Sequence, residues 1–303
     1  MFYSVERDKL EPLPGPPSYL HGTYLGRILP GELPALAPKL SVNQKIVYDC
    51  QNCGASKFES HDGFDFIILK VPGGSPSLEP QRVCIYFRPG LLLFVCEQDE
   101  LLDGLIGELL SSSPKNMELQ RILYFYFDRL TTGDAGLLED LEQDISELED
   151  ALITGQKQSC VREIIELRKR LMALKRYYEQ LLSIYEGIEE NENGLLDQKI
   201  LRYFRMLTSR CERLFHSVLN LRDYVTQVRE AYQAQVDINL NSVMKLFTVI
   251  TAIFLPLSLI AGWYGMNLHM PEYGWAFGYP LVILLSVAIL VVTLLIFKRK
   301  KWF

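Results

Sequence analysis

The sequence predicts an α/β domain at the amino-terminal end, followed by a long stalk helix and a two-helix transmembrane hairpin. Three observations carry this prediction. Residues 1–113 alternate short β-rich runs with proline and glycine clusters such as LPGPPSYLHG and VPGGSPSLEP. From Pro114 onward the apolar period changes to 3.6. Near the carboxyl end, two uncharged apolar stretches, 246–266 and 279–297, each approach the ~20 residues a helix needs to cross roughly 30 Å of hydrocarbon.

Within residues 1–113 the strand candidates are 2–5, 46–50, 64–70, 82–88 and 91–96, with short helices expected over 33–40 and 99–110. The run Asp65, Phe66, Ile67, Ile68, Leu69 lacks alternation and predicts a strand covered on both faces. The pair Cys50 and Cys53 has the spacing of half a zinc site or a redox disulfide, but no second pair completes four ligands, and a turn near solvent competes with it. His21 and His61 would join such a site only through the fold, and His216 and His269 have no metal-ligand spacing. The sequence contains no phosphate-cradling glycine loop and no GxSxG nucleophile turn.

Composition narrows the class further. The chain has 303 residues, is 49% apolar and carries a formal charge of −6, with acids concentrated before the first span. Six cysteines, Cys50, Cys53, Cys84, Cys96, Cys160 and Cys211, follow no disulfide framework, which fits a reducing compartment. The opening MFYSVERDKLEPLPG lacks the basic and apolar regions of a secretory signal.

Residues 114–194 read as a helical part. Leu137, Leu138, Leu141, Ile145, Leu148 and Leu152 mark one helix face, and Glu139, Asp140, Glu142, Asp144, Glu147, Glu149 and Asp150 cover the rest. After a turn at 154–158, a second helix bearing Arg162, Arg168, Lys169, Arg170, Lys175 and Arg176 runs to about 190. The two are expected to pair antiparallel, with most of the charges simply solvated. The break EENENG at 189–194 ends the pair. A stalk over 195–245 then runs into the first span, 246–267, without a proline before Pro256 or a glycine before Gly262. About 70 helical residues extend on the order of 100 Å, too long for one small domain to bury, so the helix should pack on copies of itself or on the preceding pair. A kink or local widening is expected over 251–255, before Pro256.

The first span carries its exceptions on one stripe. Thr248, Thr251, Ser258 and Gly262 fall at alternating steps of three and four with Leu255, Met244, Asn241 and Asp237. Two readings compete. Small and hydroxylated residues can mark a face where helices pack in lipid. They can also line water, since polar groups in lipid are costly and usually face a cavity. The outer loop, 268–278, holds Glu272 as its definite charge, and the second span, 279–297, leads to the tail 298–303 with Lys298, Arg299, Lys300 and Lys301. By the positive-inside rule that tail is cytoplasmic, so the amino-terminal part is cytoplasmic too and the loop faces outward from the cell membrane.

At the end of the first span the chain reads PLSLIAGWYGMN, then LHMPE, WAFGYP and a terminal KRKKWF. In this arrangement the chain resembles the CorA family of magnesium transporters, closely over about 221–303 and loosely before that. The loop LHMPE is one residue shorter than the usual form of the family. The resemblance implies a funnel-like homo-oligomer of five chains in a lipid bilayer, with no resident cofactor, no catalytic residues and no nucleic-acid partner. Mg²⁺ would be the transported and regulatory ion, with Co²⁺ or Ni²⁺ as further cargo. It implies Gly265, Met266 and Asn267 as the selectivity motif and places Asn241, Met244, Phe247, Leu255, Ser258, Gly262 and Asn267 on pore-associated positions, to which the stripe adds Thr248 and Thr251. Asn267 would offer a ring of amide oxygens to the metal, and Glu230 and Asp237 would offer carboxylate rings toward the cytoplasm. At the stalk position where the family carries a regulatory acid, this chain has Met206. Two alternatives stay open: a Zn²⁺ transporter of the same superfamily, which shares GMN, and a membrane-anchored enzyme or sensor using Cys50 and Cys53.

Overall fold

The computed structural model describes residues 1–6, 9–17, 22–52, 54–72, 81–112, 117–153, 160–266 and 274–300. The chain forms two compact units, Met1–Val228 and Arg229–Phe303. In the first, seven strands among the described residues make one sheet: β1 (Phe2–Glu6), β2 (Lys9–Leu13), β3 (Tyr24–Ile28), β4 (Lys57–His61), β5 (Phe64–Val71), β6 (Gln81–Arg88) and β7 (Leu91–Cys96). Their order is β2-β1-β3-β7-β6-β5-β4. Only β3 and β7 run parallel, with Tyr24 opposite Leu91 and Ile28 opposite Val95. The other neighbours are antiparallel.

Both faces of this sheet are covered, as the apolar run in β5 predicts. Phe66, Ile68, Cys84, Tyr86, Leu91, Leu93 and Val95 point to one side, where α1 (Leu33–Leu40) and α2 (Gln44–Asn52) pack. Ile67, Leu69, Val83, Ile85, Phe87, Leu92, Phe94 and Cys96 point to the other, against α3 (Glu100–Ser112), α4 (Leu119–Leu130) and the long helices. The two-residue alternation of strands sorts these side chains. Gly26 in β3 is there for closeness: a Cβ would lie 2.7 Å from Leu93 and 2.8 Å from Phe2.

Residues 46–50, expected as a strand, are part of helix α2. The two buried positions, Ile46 and Cys50, lie four apart, so one turn of helix puts both on the sheet while Tyr48 faces outward. Three strands escape the sequence reading. β2 contains Pro12 and β4 is only half-buried, and both are edge strands, where proline and polar residues are tolerated.

The acidic helix is α5 (Asp134–Ile153) and the basic one α6 (Cys160–Glu190). Their leucines face a shared core, and the salt bridge between them, Arg170 to Asp144, spans 4.0 Å with both side chains about half exposed. That supports solvation over attraction as the fate of those charges. The turn at 154–158 lies outside the described residues. Aromatic rings of α4, α6 and α7 interlock around Phe127, Tyr185 and Phe204, and the Tyr126 hydroxyl donates to the buried Asp99 carboxylate at 2.8 Å.

The link from α6 to α7 (Gln198–Tyr264) is tied down. The two N–H donors of the Asn193 amide are shared among Ser60 Oγ (2.8 Å), the carbonyls of His61 (2.7 Å) and Phe64 (3.1 Å), and Asp65 Oδ1 (2.8 Å), while its own Oδ1 accepts from Gly63 N (3.1 Å). The turn between β4 and β5 thus grips one side chain from every direction. Asp197 then caps α7 by accepting from Ile200 N at 2.8 Å, so the helix begins three residues later than the expected 195. The second unit holds the rest of α7 and α8 (Gly278–Arg299), both long and apolar enough to cross a membrane.

Candidate ion pathway on the first apolar helix

Helix α7 continues unbroken through Pro256, so the widening expected over 251–255 does not occur; those residues remain α-helical. It ends at Tyr264. Gly265 N still donates to Ala261 O at 2.9 Å, and Met266 N reaches only Trp263 O at 3.4 Å, a tighter closing turn. A Cβ on Gly265 would stand 2.8 Å from Ala261 O, so the closing turn needs glycine. At Gly262 a Cβ would meet nothing within 4 Å, so no contact within this chain demands glycine there.

Each apolar helix has one shielded stripe. On α7 it comprises Val249, Ala252, Ile253, Pro256, Leu257 and Ile260; on α8 it comprises Val282, Ser286, Ile289, Thr293 and Phe297. Both follow steps of three and four, the spacing of two helices packed along their length. Asn241, Met244, Phe247, Thr248, Thr251, Leu255, Ser258 and Gly262 are all exposed, Met244 and Leu255 at 64% and Phe247 at 61%. At 3.6 residues per turn their mean direction lies about 150° from the shielded stripe of α7. The polar stripe therefore is not the face used for packing within the chain.

The two threonine hydroxyls on that stripe are oriented. Thr248 Oγ1 donates to Met244 O at 2.8 Å and Thr251 Oγ1 to Phe247 O at 2.8 Å. With the proton committed to the helix's own carbonyl, the oxygen lone pairs remain directed away from the helix as acceptors. The waters of a hydrated cation turn their protons outward, so such acceptors match them.

The remaining sequence candidates fall as follows. Glu230 and Asp237 are exposed on α7, and Met206, at the position expected for a regulatory acid, is 59% exposed on the same helix. Lys298 and Arg299 close the last turn of α8 and Lys300 follows it. Asn267, Glu272, Lys301, Cys53, His21 and His269 lie outside the described residues. Cys50 is not part of an open half-site: it is buried against Cys84, and that contact together with burial pushes its thiol well above the usual range. His61 pairs instead with Glu59 at 3.1 Å and stacks on Phe64. Among the described residues no cluster of His, Cys, Asp or Glu is arranged to hold a metal ion. The shielded stripe on α7 was missed in sequence; its signal was the row of residues at steps of three and four around Pro256.

Comparison with known proteins adds to this geometry. The cobalt/magnesium transport protein CorA of Thermotoga maritima is 27% identical over 260 residues, covering 81% of this chain and 72% of that protein. The complete structure of the CorA magnesium transporter from Methanocaldococcus jannaschii matches with a TM-score of 0.82 at 22% identity, covering 100% of this chain and 99% of the other. The cytoplasmic domain of ZntB from Vibrio parahaemolyticus matches with a TM-score of 0.67 at 13% identity, over 78% of this chain and 97% of that one, a likeness of fold alone. The family of CorA-like Mg²⁺ transporter proteins matches residues 29–299. An apolar hairpin with an exposed polar stripe, an α/β domain and a match over nearly the whole length lead to one conclusion: this chain belongs to the CorA-like Mg²⁺ transporter proteins, a family of ion transporters and not of enzymes.

Proposed function

We propose that the chain assembles with copies of itself, five by the family resemblance, around a water-filled axis lined by α7, and conducts Mg²⁺ passively into the cytoplasm. One observation supports this most: the polar stripe lies opposite the face that α7 shields within its own unit. A single helix cannot enclose a channel, so such a face needs symmetry mates to become a conduit.

The mechanism follows from magnesium's reluctance to shed water. Asn267 at the outer mouth offers amide oxygens to the hydrated ion, behind the tight turn of Gly265 and Met266, with Glu272 in the outer loop raising local cation concentration. Below it, the acceptor oxygens of Thr251 and Thr248 bond to the ion's waters rather than to the ion. Met244 and Leu255 form apolar constrictions that close by excluding water. Asn241, and then Asp237 and Glu230, receive the ion on the cytoplasmic side, where the basic tail also lies. An inward-negative potential contributes about 2.3 kcal/mol per charge per 100 mV, doubled for a divalent ion, so uptake needs no nucleotide hydrolysis.

The test is flux into vesicles together with thiol accessibility. Asn267→Ala should lower Mg²⁺ uptake about 100-fold, close to 3 kcal/mol, with assembly unchanged. Thr251→Cys and Ser258→Cys should react with aqueous thiol reagents, against a background in which Cys50, Cys84, Cys96 and Cys211 are buried. Full uptake by the alanine variant, or cysteines that react only on the shielded stripe, would sink the proposal. The fold likeness to the ZntB domain keeps a zinc cargo as the second reading. Zinc flux undiminished by excess Mg²⁺ would favour it.

A further inference from the structure

The amino-terminal sheet contains a feature that the ion pathway does not use. β3 and β7 are adjacent and parallel, and the chain leaves their carboxyl ends in opposite directions. After β3 it enters α1, whose Leu33, Ala37 and Leu40 pack on one face of the sheet. After β7 it enters α3, whose Leu102, Leu105 and Leu109 pack on the other. Loops that diverge in this way leave a crevice outside the carboxyl ends of the two strands, the place where mostly parallel open sheets bind their ligands. Here the crevice encloses about 570 Å³, the size range of small-molecule sites.

Its lining sets apolar Pro30, Cys50 and Val95 beside a group of polar residues. Gly31 comes from the loop after β3, Glu97 and Gln98 from the loop after β7, Gln81 and Arg82 from the start of β6, and Gln51 from the end of α2. Arg82 Nη1 donates to the carbonyls of Cys50 (3.3 Å) and Gln51 (3.0 Å), which fixes the guanidinium at the wall. Those bonds engage one of its nitrogens, and a guanidinium carries five N–H donors. The amino end of α3 is already taken: Asp99 caps it by accepting from Leu102 N at 3.1 Å and also holds Tyr126. An anionic group entering the crevice therefore meets Arg82 rather than a helix end. Three carboxamides, each able to donate and accept, suit the edge of a heterocyclic base, and a carboxylate such as Glu97 accepts from vicinal hydroxyls.

We infer that the crevice between the loops following β3 and β7 binds a nucleoside monophosphate, with the phosphate at Arg82, the sugar hydroxyls at Glu97 and the base among the glutamines. The site lies in the first unit and is independent of the ion pathway.

Equilibrium dialysis of the full-length protein in detergent against labelled AMP tests this, with adenosine and inorganic phosphate as competitors. AMP should bind saturably at one per chain with a Kd below about 1 mM, and adenosine or phosphate alone should compete at least about tenfold more weakly. A Cβ at Gly31 meets nothing within 4 Å, so the first atom of a larger side chain has room there, and Gly31→Trp is chosen to obstruct the crevice. That variant, and the exposed-site change Glu97→Leu, should each weaken AMP binding about tenfold or more, at an unchanged unfolding temperature without AMP. Absence of saturable binding at about 5 mM AMP overturns the inference. So does phosphate competing as well as AMP, or binding that survives both substitutions.

Discussion

One helix, α7, shows two regimes. Up to Val228 it buries a residue at nearly every third or fourth step: Ile200, Phe204, Leu207, Cys211, Leu214, Val218, Leu221, Val225 and Val228. From Arg229 to Tyr264 Val249 alone is buried, although the apolar content is higher. The helix is continuous across both parts, so what differs is the partner. The first part is held by apolar contacts within its own unit. The second, apart from its shielded stripe, leaves its side chains without cover from its own unit.

Paired substitutions sharpen that contrast. Phe204 is fully buried and Phe254 is 62% exposed, on the same helix. Phe204→Ala should destabilise by about 3–5 kcal/mol, read as lower denaturant resistance and faster hydrogen exchange in α4, α6 and α7. Phe254→Ala should stay within about 0.5 kcal/mol in detergent. If both cost the same, the second region is packed by its own chain after all.

A smaller effect separates two glycines near the outer end. Gly265→Ala forces a Cβ against Ala261 O and should cost about 1–3 kcal/mol, with altered Mg²⁺ uptake. Gly262→Ala meets open space within the chain and should leave thermal stability unchanged. A flux defect in Gly262→Ala at normal stability would then reveal an atom from a neighbouring copy or a restricted passage.

The smallest effect belongs to the first unit. Burial raises the Asp134 carboxyl above its ordinary value of 3.8, and the Tyr178 hydroxyl bond only partly opposes this. A carboxyl that holds its proton more tightly when folded adds stability at low pH. That contribution declines as pH rises from the unfolded value through the raised folded one. The unfolding temperature of Asp134→Asn, relative to the parent, should therefore climb as pH rises from the ordinary carboxyl value and level off once pH has passed the raised folded value. A flat difference would place Asp134 in solvent.

Much of this was legible in the sequence, for reasons that vary by element. The two spans, the acidic and basic helices and the buried strand at Phe64–Val71 announce themselves through length, period or unbroken apolarity. The family emerged from YGMN and its flanks. Helix α2 was not legible, because Ile46, Val47 and Cys50 satisfy a short strand as well as a helix until the sheet shows which face must be covered. Strands β2 and β4 were hidden by their edge positions, where the alternation is half erased. In the pathway the stripe was readable, but its direction was not. Only the shielding of Val249, Ile253 and Ile260 shows which way the hydroxyls do not point.

The five hydrogen bonds around Asn193 limit how the chain could be rearranged. A protein reopened between Glu192 and Asn193, with its old ends joined, would keep this side chain in its socket but leave it on a free end. The turn of His61 to Phe64 would then hold a loose cord instead of a taut one. An insertion in this link would pull that side chain out of its socket, so the connection resists lengthening.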